Sequence, residues 1–381
     1  MALPLRCRHL SHLFQLALLL VLAVALQACS GSGKMKPTEL EPNVPLMGVR
    51  NVWAARIGTV DFPLTVKVKD HLVVVASSDG IVGAIDARTG GDVWRVALGV
   101  PLSAGVGSDG RFAAVVSREN ELITLDAGKE LWRHKLGAVT LTPPLIAGSR
   151  VFVLSADRSV VAFDAVTGRK LWQQQRTGDA LVLGRPGILL AFGDTLVAGL
   201  GGRLVGMNPL SGKSRWETPI ASSRGTNEVE RLVDLVAGVS RVGNQLCARA
   251  FQSAVACVDG AKGSVIWSKS ASGFTGVDGD ETDVFGSEGD GKVLAWRRSD
   301  GEPLWVSERL RFRGLSAPLL VGRSVVVGDG SGIVHFLSRT DGTALNRMNT
   351  DGSPIVVAPV LAGSTLIVVT QRGGIYGFRP E

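Results

Sequence analysis

The chain has 381 residues, of which 45% are hydrophobic and 20% charged, a composition typical of an ordered globular protein that excludes a disordered one. Its 41 Lys and Arg outnumber its 34 Asp and Glu, which gives a formal charge of +7, but these cations are spread along the sequence without a basic run. That distribution argues against nucleic acid as a partner.

The first 28 residues have the features of a bacterial lipoprotein signal peptide. Arg6 and Arg8 give a positive start, and the apolar stretch LFQLALLLVLAVAL that follows is too short to indicate a membrane span. That stretch leads into LQAC, which matches the pattern of Leu, any residue, small residue and Cys at which such signals are cut. An ordinary secretory signal with a chance cysteine is the alternative. We predict a mature chain that begins at Cys29, with lipid attached to the Cys29 thiol.

The predicted lipid determines where the protein should reside. Several acyl chains anchor a protein to a membrane that it does not span. Ser30 rather than Asp follows the cysteine, and bacterial lipoproteins of that kind are generally sorted to the outer membrane. We therefore expect a protein anchored by lipid in the outer membrane and facing the periplasm. Residues 29–50 are polar, hold three prolines and lack a hydrophobic period, which predicts a flexible tether before a folded region at 51–381.

A tryptophan returns about every 40 residues through the folded region, in strings such as GDVWRVA, KELWRHK and EPLWVSE. Between these tryptophans lie pairs of β-branched runs joined by Gly, Asp and Ser, such as VFVLSADRSVVAFD, and no window of helical period. Each repeat is therefore predicted to be a four-stranded antiparallel sheet. The repeated residues are Trp53, Trp94, Trp132, Trp172, Trp216, Trp267 and Trp305, with Asn346 in the eighth register.

Eight hairpins are predicted, and the two ends of the folded region complement each other. The last hairpin, LIVVTQRGGIYGFRPE, has no fourth strand after it, and the strand around Trp53 has no hairpin before it. Pairing these two would close the ring and leave no blade incomplete. We predict an all-β fold, an eight-bladed β-propeller closed by its N-terminal strand. The hairpins begin near residues 72, 111, 150, 195, 245, 283, 324 and 365.

The repeated string itself, AIDARTGGDVW at residues 84–94, is interpreted as architecture and not as a copied site. A strand ends at Asp86, Gly90 supplies a positive φ for the turn, and Trp94 returns on the outer strand. A large ring at that place can fill the wedge between neighbouring blades. The seven repeated tryptophans are therefore expected to be structural contacts between blades.

Two cysteines remain in the fold once Cys7 leaves with the signal and Cys29 carries lipid. Cys247 and Cys257 flank a predicted hairpin, and a three-residue loop at 251–253 would place them opposite each other. An oxidising periplasm permits a disulfide between them. A pair of buried free thiols is the alternative, since a register slip of one residue would turn the side chains to opposite faces.

Catalytic patterns are not legible in the sequence. His71, His134 and His335, which remain after removal of the signal, do not cluster, and no metal-binding spacing of Cys and His is present. A Ser/His/Asp order and a phosphate-binding loop are also missing. We predict no catalytic residue, no cofactor and no metal, and thus a scaffold that is not an enzyme.

The repeat of Gly, an apolar residue, Ala, Leu or Phe, Asp, then Thr-Gly and Leu-Trp resembles that of the pyrroloquinoline-quinone-type propellers. For the enzymes of that group the resemblance implies adjacent cysteines near the quinone, a calcium site and a catalytic Asp in the funnel, yet no two cysteines are adjacent here. The whole mature chain is more specifically similar to the BamB family, propeller lipoproteins of the outer-membrane β-barrel assembly machinery. Its stretch SSRGTNEVERLVDLVAGV resembles a Gly-Ser/Thr-x-Glu-Ile/Val-Asp/Glu-Arg-Leu-x-Asp segment of that family. The resemblance implies a scaffold that assists delivery and insertion of outer-membrane β-barrel proteins.

Two connections are longer than the repeat requires: TGDALVLGRPGI, after Trp172, and the SSRG stretch, after Trp216. They belong to consecutive blades and emerge on one face, so we expect them to lie side by side. The resemblance implies that they bind BamA through its periplasmic POTRA domains, although the family's Leu-x-Leu-Arg-Gly has its last two residues exchanged here and one acid of its Asp-x-Asp is missing. Two solvated loops with internal salt bridges are the alternative. The candidate BamA-binding residues are Leu181, Leu183, Arg185, Glu228, Glu230, Arg231 and Asp234.

The resemblance implies further partners, and two alternative functions stay open. Further subunits of the BAM complex and unfolded outer-membrane protein clients are additional partners that the resemblance implies. A dehydrogenase dependent on pyrroloquinoline quinone is one alternative function. A sugar-binding or cell-wall-binding propeller is the other, but it should expose aromatic rings on the funnel rim, whereas the repeated tryptophans are assigned to outer strands and Tyr376 is the only tyrosine.

Overall fold

The computed structural model describes residues 35–176, 183–221 and 233–381. Within these ranges every helix-or-strand element is a β-strand, and 32 strands form eight separate four-stranded antiparallel sheets. The first strands of neighbouring sheets contact each other, so the sheets are blades arranged around a centre. No helix of the described residues is long and apolar enough to cross a membrane. The predicted eight-bladed β-propeller is confirmed.

Seven blades consist of four strands that are consecutive in the chain and run from the centre outward. Blade 1 contains β2 (Lys67–Lys69), β3 (Leu72–Ala76), β4 (Ile81–Asp86) and β5 (Asp92–Ala97), and blade 2 contains β6 (Leu102–Ser108), β7 (Phe112–Ser117), β8 (Glu121–Asp126) and β9 (Lys129–Lys135). Blade 3 contains β10 (Leu145–Ala147), β11 (Arg150–Leu154), β12 (Ser159–Asp164) and β13 (Lys170–Gln175), and blade 4 contains β14 (Leu189–Phe192), β15 (Thr195–Leu200), β16 (Arg203–Met207) and β17 (Ser214–Pro219). Blade 5 contains β18 (Leu235–Val242), β19 (Gln245–Ala250), β20 (Ala254–Asp259) and β21 (Ser264–Ser270). Blade 6 contains β22 (Val277–Gly279), β23 (Asp283–Ser287), β24 (Val293–Arg297) and β25 (Pro303–Ser307). Blade 7 contains β26 (Leu319–Val321), β27 (Ser324–Gly328), β28 (Ile333–Ser338) and β29 (Ala344–Asn349).

Blade 8 joins the two ends of the chain. Its first three strands are β30 (Val360–Ala362), β31 (Thr365–Val369) and β32 (Gly374–Pro380), and its outer strand is β1 (Val49–Arg56). β1 runs antiparallel to β32, with Trp53 opposite Gly377. The predicted closure of the ring by the N-terminal strand is therefore confirmed.

Each repeated tryptophan lies against the turn of the next blade. A Cβ atom added to Gly90, whose φ is 76°, would lie 2.6 Å from the ring of Trp53. The Trp53 Nε1–H donates a hydrogen bond of 2.9 Å to the carbonyl oxygen of Ala87 in that same turn. Glycine is needed there both for its left-handed backbone and for the space that the ring occupies. The same contact joins Trp94 to Gly128, Trp132 to Gly168, Trp172 to Gly212, Trp216 to Gly263, Trp267 to Gly301 and Trp305 to Gly342.

The hydrophobic core lies between the faces of adjacent blades. The second and third strands are buried along most of their length, as in Leu72–Ala76 and Ile81–Asp86 of blade 1, because both faces of each sheet are covered by a neighbour. Fourth strands show alternating exposure instead, as in Asp92–Ala97. Continuous β-branched runs are the expected sequence of strands that are covered on both faces.

Residues 38–48, which we call the N-terminal strap, run along the outside of blade 7. The Leu46 N–H donates to the carbonyl oxygen of Leu345 at 2.7 Å, and the Asn346 Nδ2 donates to the carbonyl oxygen of Met47 at 2.8 Å. These residues fall within the segment that the sequence predicts to be a tether, and they are bound to the propeller. The strap also explains why the eighth repeat has Asn346 in place of a tryptophan. Blade 8 has no turn between its third and fourth strands, since these come from opposite ends of the chain. A tryptophan at position 346 would therefore have no turn to contact, and Asn346 binds the strap instead.

The two cysteines of the fold face each other on blade 5. Cys247 of β19 and Cys257 of β20 are direct partners in the antiparallel register, across the loop at 251–253. They form a disulfide and are fully buried, together with Trp267. Of the two alternatives left open by the sequence, the structure contains the disulfide.

Candidate functional site

Three of the seven candidate partner-binding residues lie in the described part of the chain, and the structure brings them together. Leu183, Arg185 and Asp234 line one cavity, and we call these three residues the loop patch. The other four, Leu181, Glu228, Glu230 and Arg231, lie outside the described residues, as does the predicted lipid attachment residue, Cys29.

The loop patch lies on the face of the ring that carries two kinds of connection. One kind leads from a fourth strand to the first strand of the next blade, and the other joins the second and third strands within a blade. Leu183 and Arg185 lie on the connection from β13 to β14, and Asp234 lies on the connection from β17 to β18. These connections leave consecutive blades in the same direction, which is why residues 51 positions apart in the sequence can meet.

Two hydrogen bonds join the first of these connections to the second and to strand β18 that follows it. The Leu183 N–H donates to Asp234 Oδ2 at 2.8 Å. The Ala237 N–H donates to the carbonyl oxygen of Pro186 at 2.9 Å. Asp234 is itself held in place because its carbonyl oxygen accepts a hydrogen bond of 3.0 Å from the Phe251 N–H. The described parts of the two long connections therefore lie side by side as expected, and Asp234 sets the position of the Leu183 backbone.

Arg185 rests on an aromatic ring that the sequence did not indicate. Its guanidinium carbon lies 4.8 Å from the ring centre of Phe274, a distance typical of a cation–π contact. Burial lowers the pKa of Arg185, and no carboxylate among the described residues opposes that shift. Phe274 belongs to the connection after β21, so the surface around the loop patch extends to blade 5 and its link with blade 6.

The position of Phe274 depends on a buried ion pair behind it. Arg249 of β19 is fully buried, and its Nη1 lies 2.7 Å from Glu288 Oε1. Glu288 Oε2 accepts hydrogen bonds from the N–H and the hydroxyl of Ser272, the second of them at 2.8 Å. A Cβ atom added to Gly273 would lie 2.1 Å from Arg249 Nη1, so the connection passes directly over the guanidinium. The ion pair thereby fixes the segment that presents Phe274.

The cavity beside the loop patch has a volume of about 60 Å³. Sites for small molecules and cofactors commonly have volumes of about 300–1,000 Å³. The cavity is thus too small for a quinone cofactor, and it suits a single inserted side chain. A larger cavity of about 420 Å³ lies between the N-terminal strap and blade 7, on the outer rim of the ring and away from the funnel.

Arg158 is a second arginine at this cavity, and sequence reasoning missed it. It lies in the turn between β11 and β12 of blade 3, with a φ of 62°. The side chain extends toward blade 4, where its Nη1 would be 3.6 Å from a Cβ atom added to Gly201. Its Nε is buried and has no hydrogen-bond partner within the described ranges. No sequence signal marks Arg158, because its place beside the loop patch depends on how blades 3 and 4 pack.

A second buried polar cluster lies in blade 7. Asp329 Oδ2 is 2.7 Å from Arg313 Nε and 3.0 Å from His335 Nε2. Burial alone would raise the pKa of Asp329, but hydrogen bonds from His335, from the Ile333 N–H and from Arg313 bring it down to about 2. Burial lowers the pKa of His335, and the bond to Asp329 opposes that shift only in part. The cluster holds the strap, since Arg313 Nη1 donates to the carbonyl oxygen of Thr38 at 2.9 Å.

In the described part of the chain, no group of three or more His, Cys, Asp and Glu side chains is arranged to hold a metal ion. The two cysteines of the described residues are ten positions apart and joined within blade 5, so they are not the adjacent pair that the resemblance to the quinone-dependent enzymes would imply.

Comparison with known proteins connects this propeller with one family. A family profile described as outer membrane protein assembly factor BamB matches residues 78–307. The outer membrane protein assembly factor BamB of Burkholderia pseudomallei (strain K96243) is 40% identical over 360 residues, which cover 93% of this chain and 94% of that protein.

Solved structures show the same fold. The crystal structure of BamB from Moraxella catarrhalis matches with a TM-score of 0.79 and 26% sequence identity, and the match covers 87% of this chain and 99% of that one. The quinohemoprotein alcohol dehydrogenase from Comamonas testosteroni matches with a TM-score of 0.69 over 90% of this chain and 78% of that one. The identity with the dehydrogenase is 15%, so that likeness concerns the fold alone.

Proposed function

Because the chain belongs to the BamB family of outer membrane protein assembly factors, we propose that it is a scaffold lipoprotein of the BAM complex that binds BamA through the loop patch and has no catalytic activity. In this proposal BamA presents its periplasmic POTRA domains to the loop face of the ring. The protein then assists delivery and insertion of outer-membrane β-barrel proteins.

The hydrogen bond between the two long connections is the observation that carries the proposal. It joins Leu183 and Asp234 from consecutive blades into one surface, which neither connection could form alone. Leu183 is half-buried, so part of its side chain is free for a partner. Apolar anchors surrounded by charged groups are typical of protein–protein interfaces.

The absence of catalysis is proposed on the chemistry of the site. The cavity at the loop patch is smaller than a cofactor, and the buried disulfide differs from the adjacent cysteines of quinoprotein enzymes. Paired structural contacts also account for the repeated tryptophans and glycines. A propeller that uses its repeats for packing and its long connections for binding fits a scaffold.

Attachment of lipid to Cys29 would place this scaffold at the inner surface of the outer membrane. The tethered propeller would raise the local concentration of BamA near the membrane and of any client that both proteins meet. Other subunits of the complex and unfolded outer-membrane protein clients are proposed as further partners. Growth with labelled palmitate, followed by mass spectrometry of the mature N-terminus, tests the anchor: label on a chain that begins at Cys29 is expected.

Binding to BamA is tested with purified full-length proteins from the same cell. Leu183→Ala combined with Asp234→Lys should abolish co-purification with BamA, because the apolar anchor is lost and the charge is reversed. The matched control is Leu210→Ala combined with Asp194→Lys. It makes the same two changes at exposed positions of blade 4 on the opposite face, where Leu210 is 65% exposed. Unchanged co-purification of the first variant, with the fold intact by circular dichroism, would overturn the assignment of the loop patch.

A further inference from the structure

The cavity beside the loop patch is bordered by two guanidinium groups from different parts of the ring. Arg158 reaches it from the β11–β12 turn, and Arg185 reaches it from the connection between β13 and β14. Arg185 is a solvent-exposed residue whose guanidinium lies over the Phe274 ring, and no carboxylate among the described residues acts on its pKa. The buried Nε of Arg158 likewise has no hydrogen-bond partner in the described ranges. Two arginine side chains therefore border one small cavity, and one of them has an unpaired buried donor, which makes the cavity a favourable place for an anion.

A buried hydroxyl adds a third donor. Thr142 lines the same cavity, and its Oγ1 accepts a hydrogen bond of 2.9 Å from the Gly187 N–H. The hydroxyl hydrogen is therefore free to be donated to a group in the cavity. Asp234 also borders this space, but one of its oxygens is bound to the Leu183 N–H. Among the described residues that line the cavity, two side chains are positive and one is negative, which leaves an excess of positive charge there.

We propose that the cavity receives an aspartate or glutamate side chain of the protein that docks on the loop patch, with Arg158 and Arg185 as its donors. Arginine presents paired N–H groups that match the two oxygens of a carboxylate. The volume of about 60 Å³ admits a carboxylate group and is too small for a nucleotide or sugar. Arg158 thus becomes a specificity residue that reads an acidic side chain of the partner.

This inference rests on the proposed function and is tested by the affinity of the full-length protein for BamA, measured by isothermal titration calorimetry. Arg158→Gln should weaken binding by about tenfold or more, and Arg158→Lys by less, because lysine keeps the charge but loses the paired donors. The weakening should shrink as salt is raised, since the lost contact is electrostatic. The matched control is Arg150→Gln, which changes an arginine of the same blade whose buried Nε is also without a partner among the described residues, but on the opposite face. Arg150→Gln should leave the affinity unchanged.

The outcomes separate the inference from the proposed function. Failure of the unmodified protein to bind BamA would overturn both. Binding by the unmodified protein with equal affinities for Arg158→Gln and Arg150→Gln would overturn the carboxylate site alone. A carboxylate of the chain itself is the competing occupant, and Glu228→Gln with Glu230→Gln tests it. If this pair of changes and Arg158→Gln lower the unfolding temperature equally without changing affinity, the cavity serves the chain's own residues and the inference is wrong.

Discussion

Asp234 accepts a hydrogen bond from the backbone N–H of Leu183 at 2.8 Å, across a sequence separation of 51 residues. The acceptor is a side chain and the donor is a main-chain group. Substitution of Asp234 therefore leaves the Leu183 side chain in the protein but removes the bond that positions it. In the proposed function Asp234 therefore has two separable roles: its charge contacts the partner, and its hydrogen bond supports the neighbouring connection.

Substitution of Asp234 distinguishes these roles. Asp234→Ala should weaken binding to BamA by about tenfold or more, because loss of a charge-assisted hydrogen bond typically costs about 1.5–3 kcal/mol. Asp234→Asn keeps an oxygen that can accept from Leu183, so its affinity should stay within about threefold of the unmodified protein if support is the main role. Affinities from calorimetry measure both. Equal losses for Asn and Ala would show instead that the partner contacts the charge.

The glycine beneath each repeated tryptophan gives a prediction for stability. Gly168 has a φ of 70°, and a Cβ atom added there would lie 2.7 Å from the Trp132 ring. Gly168→Ala should lower the free energy of unfolding by about 2 kcal/mol or more, from left-handed strain of about 1–2 kcal/mol together with displacement of the ring. Denaturant titration measures the change.

Two other glycines serve as controls for Gly168. Gly99 has a φ of 72° and nothing within 4 Å of an added Cβ atom, so Gly99→Ala reports strain alone. Gly137 lies in open space without a positive φ, so Gly137→Ala should change stability little. If Gly99→Ala and Gly168→Ala prove equally destabilising, the tryptophan contact contributes nothing measurable.

Removal of one partner of the buried Arg249–Glu288 pair should lower the free energy of unfolding strongly, whereas replacement of both partners by apolar residues should lower it little. Glu288→Leu leaves the Arg249 charge buried without its partner and should cost about 3–5 kcal/mol. Arg249→Met combined with Glu288→Leu should recover much of that loss. Glu302→Leu, which breaks a solvent-exposed pair with Lys269, should cost about 1 kcal/mol or less and is the control. A double variant as unstable as Glu288→Leu would contradict this account.

The Asp329–His335 pair predicts how stability depends on pH. The pKa of His335 in the folded protein is below its ordinary value of 6.5, so its contribution is present above about pH 6.5 and is lost as the pH falls. The pKa of Asp329 falls from 3.8 to about 2, so its own contribution is lost only below about pH 4. The charged groups that act on His335 are Asp329, Arg313 and Arg347, and the two arginines oppose its protonation.

Unfolding temperatures at pH 7.5 and pH 5 test this dependence. The unmodified protein should unfold at a lower temperature at pH 5, and His335→Gln should reduce the difference, because glutamine keeps a donor but does not titrate. His71→Gln, at an exposed histidine, should leave the difference as it is. An equal pH dependence for all three proteins would argue against His335 as its source.

Asn346 should hold the strap. Asn346→Ala removes the donor to Met47 and the acceptor for Asn43 Nδ2, which lies 3.1 Å away. Hydrogen exchange at the Leu46 amide should become faster by about tenfold, as expected for a loss of about 1.4 kcal/mol in local stability. Asn349→Ala, at an exposed position on the same strand, is the control and should leave that amide protected.

The architecture could be predicted from the sequence because it repeats. The period of the tryptophans, the paired β-branched runs and the unmatched strands at the two ends specify eight blades and their closure. The loop at 251–253 permits the facing cysteines but leaves a disulfide and free thiols as alternatives, which only the register in the structure decides. The role of Asn346 could not be predicted, since the strap has no hydrophobic period to reveal that it binds blade 7. Arg158 and Phe274 also escaped prediction, because each meets the loop patch through packing between blades and not through any local pattern.

The pairing of β1 with β32 has a consequence for how the protein is made. β1 is the first strand of the propeller to be synthesised and β32 is the last, so Trp53 can meet Gly377 only after more than 300 further residues have been made. A chain that ends before Gly374 would form blades but leave β1 as an unpaired edge, open to aggregation and proteolysis. The pairing of β1 with β32 therefore distinguishes a complete chain from a truncated one, since only a chain that includes β32 can close the ring.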